Sequence, residues 1–201
     1  MEKIGCLSVT DKIVARAAAI LNNGGVLVFP TATVYGIGAC VKYPKAVERI
    51  YRIKGRSEKK PLVLMLANKK QLDRIPIKIN SKIKKIIKNI WPRPVTFIIK
   101  TTKKFARKFN SRNQTLALRL ADHSITKKII QRFGGYLATT SANFSGGRAA
   151  ADFSEIPQKL LKMVDYAIDG GRTLYQQSST IVDLTGEKPK IIRRGAAKLK
   201  I

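Results

Sequence analysis

Two short triplets, Lys54-Gly55-Arg56 and Ser141-Ala142-Asn143, carry most of the polar chemistry this chain can offer. Each sets two polar side chains at i and i+2, a spacing that in extended backbone points both the same way. The first triplet supplies two cations, the second a hydroxyl and an amide. Together they suit a polyphosphate or carboxylate ligand better than proton transfer. A third polar stretch, Pro30-Thr31-Ala32-Thr33-Val34-Tyr35-Gly36, leaves the end of an apolar run.

What is missing narrows the chemistry further. His123 is the single histidine, which excludes a histidine pair and a histidine-clustered metal site. Its place after Asp122 suits a loop or cap residue. No carboxylate pair stands out, and Asp169 and Asp183 read as turn and packing residues. There is no GxxxxGK[ST] loop for a nucleotide. Ser141 has no base beside it to activate it as a nucleophile. A cleft rich in Lys, Arg, Ser, Thr and Asn remains. Such a cleft catalyses by holding anionic reactants together and neutralising the charge that develops on them.

The elements that must position these groups follow from apolar periodicity. Asp11 opens a first helix with Ile13, Val14, Ala17, Ile20 and Leu21 on one face, and Asn22-Asn23-Gly24-Gly25 stops it. Val26–Phe29 reads as a buried strand ended by Pro30. A second helix after Pro44 turns Val47, Ile50 and Tyr51 inward and delivers the chain to Lys54. Leu62–Leu66 is another buried strand. Asn80 or Ser81 caps a helix with Ile83, Ile86, Ile87 and Ile90 inward and lysines outward. Trp91-Pro92-Arg93-Pro94 ends it. Val95–Ile99 is a strand. Thr115–Leu120 alternates, placing Thr115, Ala117 and Arg119 on one face. Ser124 caps a helix through Phe133, and a strand over 136–140 feeds the Ser141 turn. A helix near Leu160–Val164 and strands over 166–168, 180–184 and 190–193 complete the chain. The irregular alternation predicts an α/β fold with a mixed sheet.

The 201 residues suit one domain, and 44% apolar content is ordinary for a globular chain. No apolar run reaches the roughly 18–20 residues of a membrane helix, and the N-terminus is too polar for a signal peptide. Cys6 and Cys40 lack any metal-ligand spacing and read as reduced thiols of a cytoplasmic protein. Forty Lys and Arg against twelve Asp and Glu give a net charge of +28. A surface of that sign attracts polyanions, RNA and nucleotides included.

Taken in order, the blocks PTATVYGIG (30–38), IKGR (53–56), PLVLML (61–66), WPRPVTFII (91–99), LALRLADH (116–123), LATTSANFSG (137–146), IDGG (168–171), SSTIVDL (178–184) and IIRRG (191–195) resemble the YrdC/Sua5 family. The likeness spans about residues 10–197 and is to the short bacterial, TsaC-like threonylcarbamoyl-AMP synthases. It implies one YrdC-like domain over 1–201, with a twisted mixed sheet, a wide basic cleft and no additional C-terminal domain of the longer members. It also implies an activity: L-threonine, bicarbonate or CO2, and ATP, with Mg2+, give threonylcarbamoyl-adenylate and pyrophosphate. The product would serve a downstream tRNA threonylcarbamoyl transferase complex that modifies the adenosine beside the anticodon.

By the same resemblance, Lys54, Arg56, Ser141 and Asn143 are the catalytic set. Arg56, Lys60, Thr115, Ser141 and Arg193 line the ATP site. Thr33, Arg119, Thr139 and Ser179 hold threonine, with Arg119 on its carboxylate. No metal site is implied in the protein. Three departures stand out: Arg93 replaces a glycine common in the family, Ser57 replaces a proline, and Met65 stands near a histidine of some relatives. The alternative reading is an RNA- or tRNA-binding protein of the same fold, with contacts to tRNA or double-stranded RNA and no synthase activity.

Overall fold

The computed structural model describes residues 9–109 and 113–199; Cys6 and the polar N-terminus lie outside them. The first half of the chain runs α1 (Val9–Asn22), β1 (Val26–Phe29), β2 (Gly36–Cys40), α2 (Pro44–Lys54), β3 (Val63–Leu66), α3 (Ser81–Ile90) and β4 (Val95–Lys100). The second half runs α4 (Lys103–Arg107), β5 (Thr115–Leu120), α5 (Ser124–Phe133), β6 (Leu137–Ser141), α6 (Gln158–Leu161), β7 (Tyr166–Ala167), β8 (Thr180–Asp183) and β9 (Lys190–Arg193). Short 3-10 turns at Lys69–Arg74 and Phe153–Glu155 join them.

Among the described residues, nine strands form one sheet in the order β7-β1-β2-β6-β3-β5-β4-β8-β9. Pairs β1–β7, β3–β5 and β4–β8 are parallel, and the others antiparallel, so the sheet is mixed as the sequence predicts. Long apolar runs make this possible, because most strands are buried on both faces.

The two faces are covered differently. On one, Val28, Ile37, Leu64, Phe97, Leu118 and Val182 pack with Val47 and Ile50 of α2 and with Trp91. On the other, Leu27, Phe29 and Leu137 lie under Ala17 and Leu21 of α1 and Ile129, Ile130 and Phe133 of α5. Past α1 and α5, this second face continues across β3, β5, β4 and β8. There its side chains are Val63, Met65, Ala117, Arg119, Thr96, Ile98 and Ile181, and they floor a pocket.

Four local expectations change. Asp11 does not open α1 but lies inside its first turn, the helix already running from Val9. Strand β2 was unassigned by periodicity, because Gly36-Ile37-Gly38-Ala39-Cys40 lacks the usual strand formers. Its glycines answer to packing: a Cβ at Gly36 would stand 2.7 Å from the Phe29 ring. Ser124 begins α5 without capping it; His123 is the cap residue and makes no side-chain cap bond. The helix near Leu160 runs Gln158–Leu161, earlier than its apolar residues suggest. Asn80 does cap α3, its side chain accepting from Ile83 N at 2.9 Å.

Candidate functional site

Helix α2 ends where Gly55 enters the left-handed region, at φ 57°. Such a residue turns the chain sharply, so the extended run expected through Lys54-Gly55-Arg56 does not form. The two cations diverge as a result. Lys54 is 2% exposed and lies outside the pocket lining. Its ammonium donates to the backbone oxygens of Ser141 and Asn143 and, at 3.3 Å, to Asn143 Oδ1. Its own carbonyl accepts from Ser145 N at 2.8 Å. Burial, helped by nearby Arg56, pulls the Lys54 ammonium down to about 7. Arg56 instead lines the pocket. Its Nε donates to Lys60 O and its Nη2 to Pro61 O, both at 3.1 Å.

The second triplet divides in the same way. Ser141 lines the pocket; its hydroxyl donates to Asn143 Oδ1 at 2.5 Å. The Asn143 amide nitrogen donates to Phe144 O at 2.9 Å and Gly147 O at 2.6 Å. Asn143 is therefore occupied in shaping its own turn, and Lys54 clamps that turn to the end of α2.

Across the pocket, Arg119 on β5 is 8% exposed. Its Nη2 donates to Thr33 Oγ1 at 2.8 Å and to Asp122 Oδ2 at 2.7 Å. Thr33 and Thr31 share a hydroxyl contact of 2.9 Å, and Thr31 also donates to Val34 O at 2.7 Å. Among the described residues, Arg119 Nε has no hydrogen-bond partner, though it is buried. A buried guanidinium N–H without an acceptor is costly.

On the third side, Arg193 donates from Nε and Nη2 to Ser179 O at 3.2 and 2.8 Å. The Ser179 hydroxyl meets Thr96 Oγ1 at 2.9 Å. Burial, and then Arg119 nearby, lower the affinity of Arg193 for its proton. Thr139 donates its hydroxyl to Ile37 O at 3.0 Å, which leaves its lone pairs as acceptors toward the pocket it lines.

The pocket has a volume of about 340 Å³, and its charged lining residues are Arg56, Arg119 and Arg193. No carboxylate among the described residues lines it. Among the described residues, no group of three or more His, Cys, Asp or Glu side chains is placed to hold a metal ion. No described helix is long and apolar enough to cross a membrane.

A family model named for Sua5, YciO and YrdC, and described as telomere recombination, matches residues 19–195. The chain belongs to this family. It is 32% identical over 184 residues to the threonylcarbamoyl-AMP synthase of Pyrococcus abyssi, covering 92% of this chain and 54% of that protein. The crystal structure of P. abyssi Sua5 complexed with L-threonine matches at TM-score 0.85 and 31% identity, over 90% of this chain and 54% of that one. Escherichia coli YciO matches at TM-score 0.84 and 29% identity, over 94% and 92%. The chain thus spans about half the length of the P. abyssi protein.

Within this Sua5/YciO/YrdC fold, the residues singled out by sequence separate into groups. Arg56, Arg119, Thr139, Ser141, Ser179 and Arg193 share the pocket, and Thr33 touches it through Arg119. Lys54 and Asn143 stand behind it. Lys60 is exposed, outside the lining; its carbonyl serves Arg56. Thr115 does lie on the face of Arg119, but lines an adjoining cavity of about 620 Å³ with Lys78 and Lys100. Sequence reasoning missed Thr31, Thr96 and Asp122. Thr31 could have been read from its i, i+2 relation to Thr33, and Thr96 from the alternation of β4.

Proposed function

We propose that this chain forms L-threonylcarbamoyl-adenylate and pyrophosphate from L-threonine, bicarbonate or CO2, and ATP, as a nucleotidyltransferase. The observation that carries this reading is the pocket lined, among the described residues, by three arginines and no carboxylate. That pocket suits several anionic reactants held at once. The names of the relatives, and the threonine in P. abyssi Sua5, support it.

Threonine enters with its carboxylate toward Arg119 and Thr33, its ammonium toward the lone pairs of Thr139, and its other contacts at Ser179. The ATP phosphates take Arg56, Ser141 and Arg193, with Lys60 and Thr115 further along the nucleotide, and Mg2+ arrives on ATP as part of the substrate. Lys54 and Asn143 act from behind by fixing the Ser141 turn. The threonine ammonium first gives up a proton to solvent. The lone pair of the free amine then bonds to the carbon of CO2 as one C–O π pair moves to oxygen, and a second proton leaves the nitrogen, giving a carbamate. A carbamate oxygen then attacks the α-phosphorus in line, and pyrophosphate leaves with the bonding pair. Bicarbonate as the source releases one water. The arginines neutralise charge on the equatorial oxygens and the leaving group. No enzyme nucleophile is required.

The product would pass, in the cytoplasm, to a tRNA threonylcarbamoyl transferase complex. Pyrophosphate release should require threonine, bicarbonate and ATP together. Release at the same rate without threonine overturns the reading.

A further inference from the structure

Three arginines share one small pocket, yet their immediate charge environments differ. Arg56 donates to two neutral carbonyls, Lys60 O and Pro61 O. Arg193 donates to the backbone oxygen of Ser179 and approaches its hydroxyl at 3.4 Å. Both keep a full positive charge toward any ligand. Among the described residues, Arg119 alone of the three is ion-paired, with Asp122 at 2.7 Å, and the side chains are 9% and 7% exposed. The other Asp122 oxygen accepts from Ala32 N at 3.1 Å, so both carboxylate oxygens are engaged. The strand end that carries Asp122 is itself held, Ala121 N donating to Leu66 O at 2.7 Å.

We propose that Asp122 is a specificity-determining residue that divides the pocket. By pairing with Arg119 it reserves that arginine for a singly charged carboxylate and leaves Arg56 and Arg193 to polyphosphate. This rests on the functional reading above, in which an amino acid and a nucleotide must occupy neighbouring sites together.

The physical problem is competition. A polyphosphate binds most tightly wherever cations are unneutralised, and three bare guanidiniums in about 340 Å³ would all be drawn to it. The Arg119–Asp122 pair presents a dipole, whose attraction falls off faster with distance than that of a free charge. It repels a second or third negative charge while still offering a hydrogen bond to a monoanion. The same carboxylate anchors the Ala32 backbone, and so holds Thr33 against Arg119.

Calorimetric titration of threonine, with and without inorganic pyrophosphate as the probe, tests this on wild type and Asp122→Asn. In wild type, pyrophosphate should leave threonine affinity within about twofold. In Asp122→Asn, pyrophosphate should weaken threonine binding by about tenfold or more, because the freed Arg119 is now captured. Equal insensitivity of the variant overturns the proposal. So does strong competition by pyrophosphate in the wild type, which needs no variant and decides the matter if Asp122→Asn does not fold. A wild type that binds no threonine under either condition overturns the functional reading itself, and the proposal with it.

Discussion

Lys54 and Arg119 are both buried cations at the same site, 2% and 8% exposed, yet their surroundings are opposite in kind. Lys54 is saturated: its ammonium meets three oxygens of the 141–143 turn and reaches no ligand space. Arg119 is anchored through Nη2 by Asp122 and Thr33, lines the pocket, and among the described residues keeps a buried Nε–H without a partner. A buried cation with every donor used is a fastener, and one with a donor spare is a receptor. Membership of the same polar cluster in sequence does not tell the two apart; the state of each donor does.

Exchanging the cations should break or sharpen this contrast. Lys54→Arg should be as damaging as Lys54→Met, each lowering kcat/KM by about a hundredfold or more. A planar guanidinium cannot take the place of a compact ammonium among carbonyl oxygens, and overpacking adds about 1–3 kcal/mol of destabilisation in the arginine variant. Steady-state kinetics with thermal unfolding would show it. Partial rescue by arginine would make Lys54 a phosphate contact after all.

Arg56→Ala should cost less: about ten- to a hundredfold in kcat/KM for ATP, from one charge-assisted contact of about 1.5–3 kcal/mol. Its two backbone acceptors sit near solvent, so Tm should hold while ATP no longer raises it by linkage. Thermal shift with and without ATP checks this. A large drop in Tm with ATP binding intact would move Arg56 to the fastener class.

The contrast also shows in pH. Unfolded, Lys54 keeps its proton to about pH 10.4; folded, it gives the proton up near 7. Between those values the unfolded chain binds more protons, so this residue makes stability rise with pH, by at most about 1.4 kcal/mol per unit. Below about 7 its contribution is a constant penalty. Denaturant unfolding from pH 6 to 10 should show a slope in wild type that Lys54→Met flattens; identical slopes would contradict the buried ammonium.

Much of the fold was legible because burial writes itself into apolar periodicity, as in α2, α3 and β5. The face shared by Thr115, Ala117 and Arg119 followed from alternation alone. Strand β2 was not legible, since Gly36 and Gly38 are required by the Phe29 ring on the neighbouring strand, which no local propensity records. The divergence of Lys54 from Arg56 was hidden too, because one left-handed glycine decides it. Asp122 escaped notice as a site residue. One of its partners lies three residues back on a strand and the other ninety residues earlier, at Ala32, so the folded chain alone makes it part of the site.

The sheet order has a mechanical consequence for the pocket. Arg119 sits on β5, flanked by β3 and β4, whereas Arg193 ends the margin strand β9, which among the described residues pairs only with β8 and slips register at Ile181/Val182. Backbone opening needs far less free energy at such a margin than in the middle of a sheet. One wall of the pocket is thus rigid and the opposite wall can breathe. In the proposed reaction, a reactant on Arg193 would be admitted and released by fraying four residues, without disturbing the strand that carries Arg119.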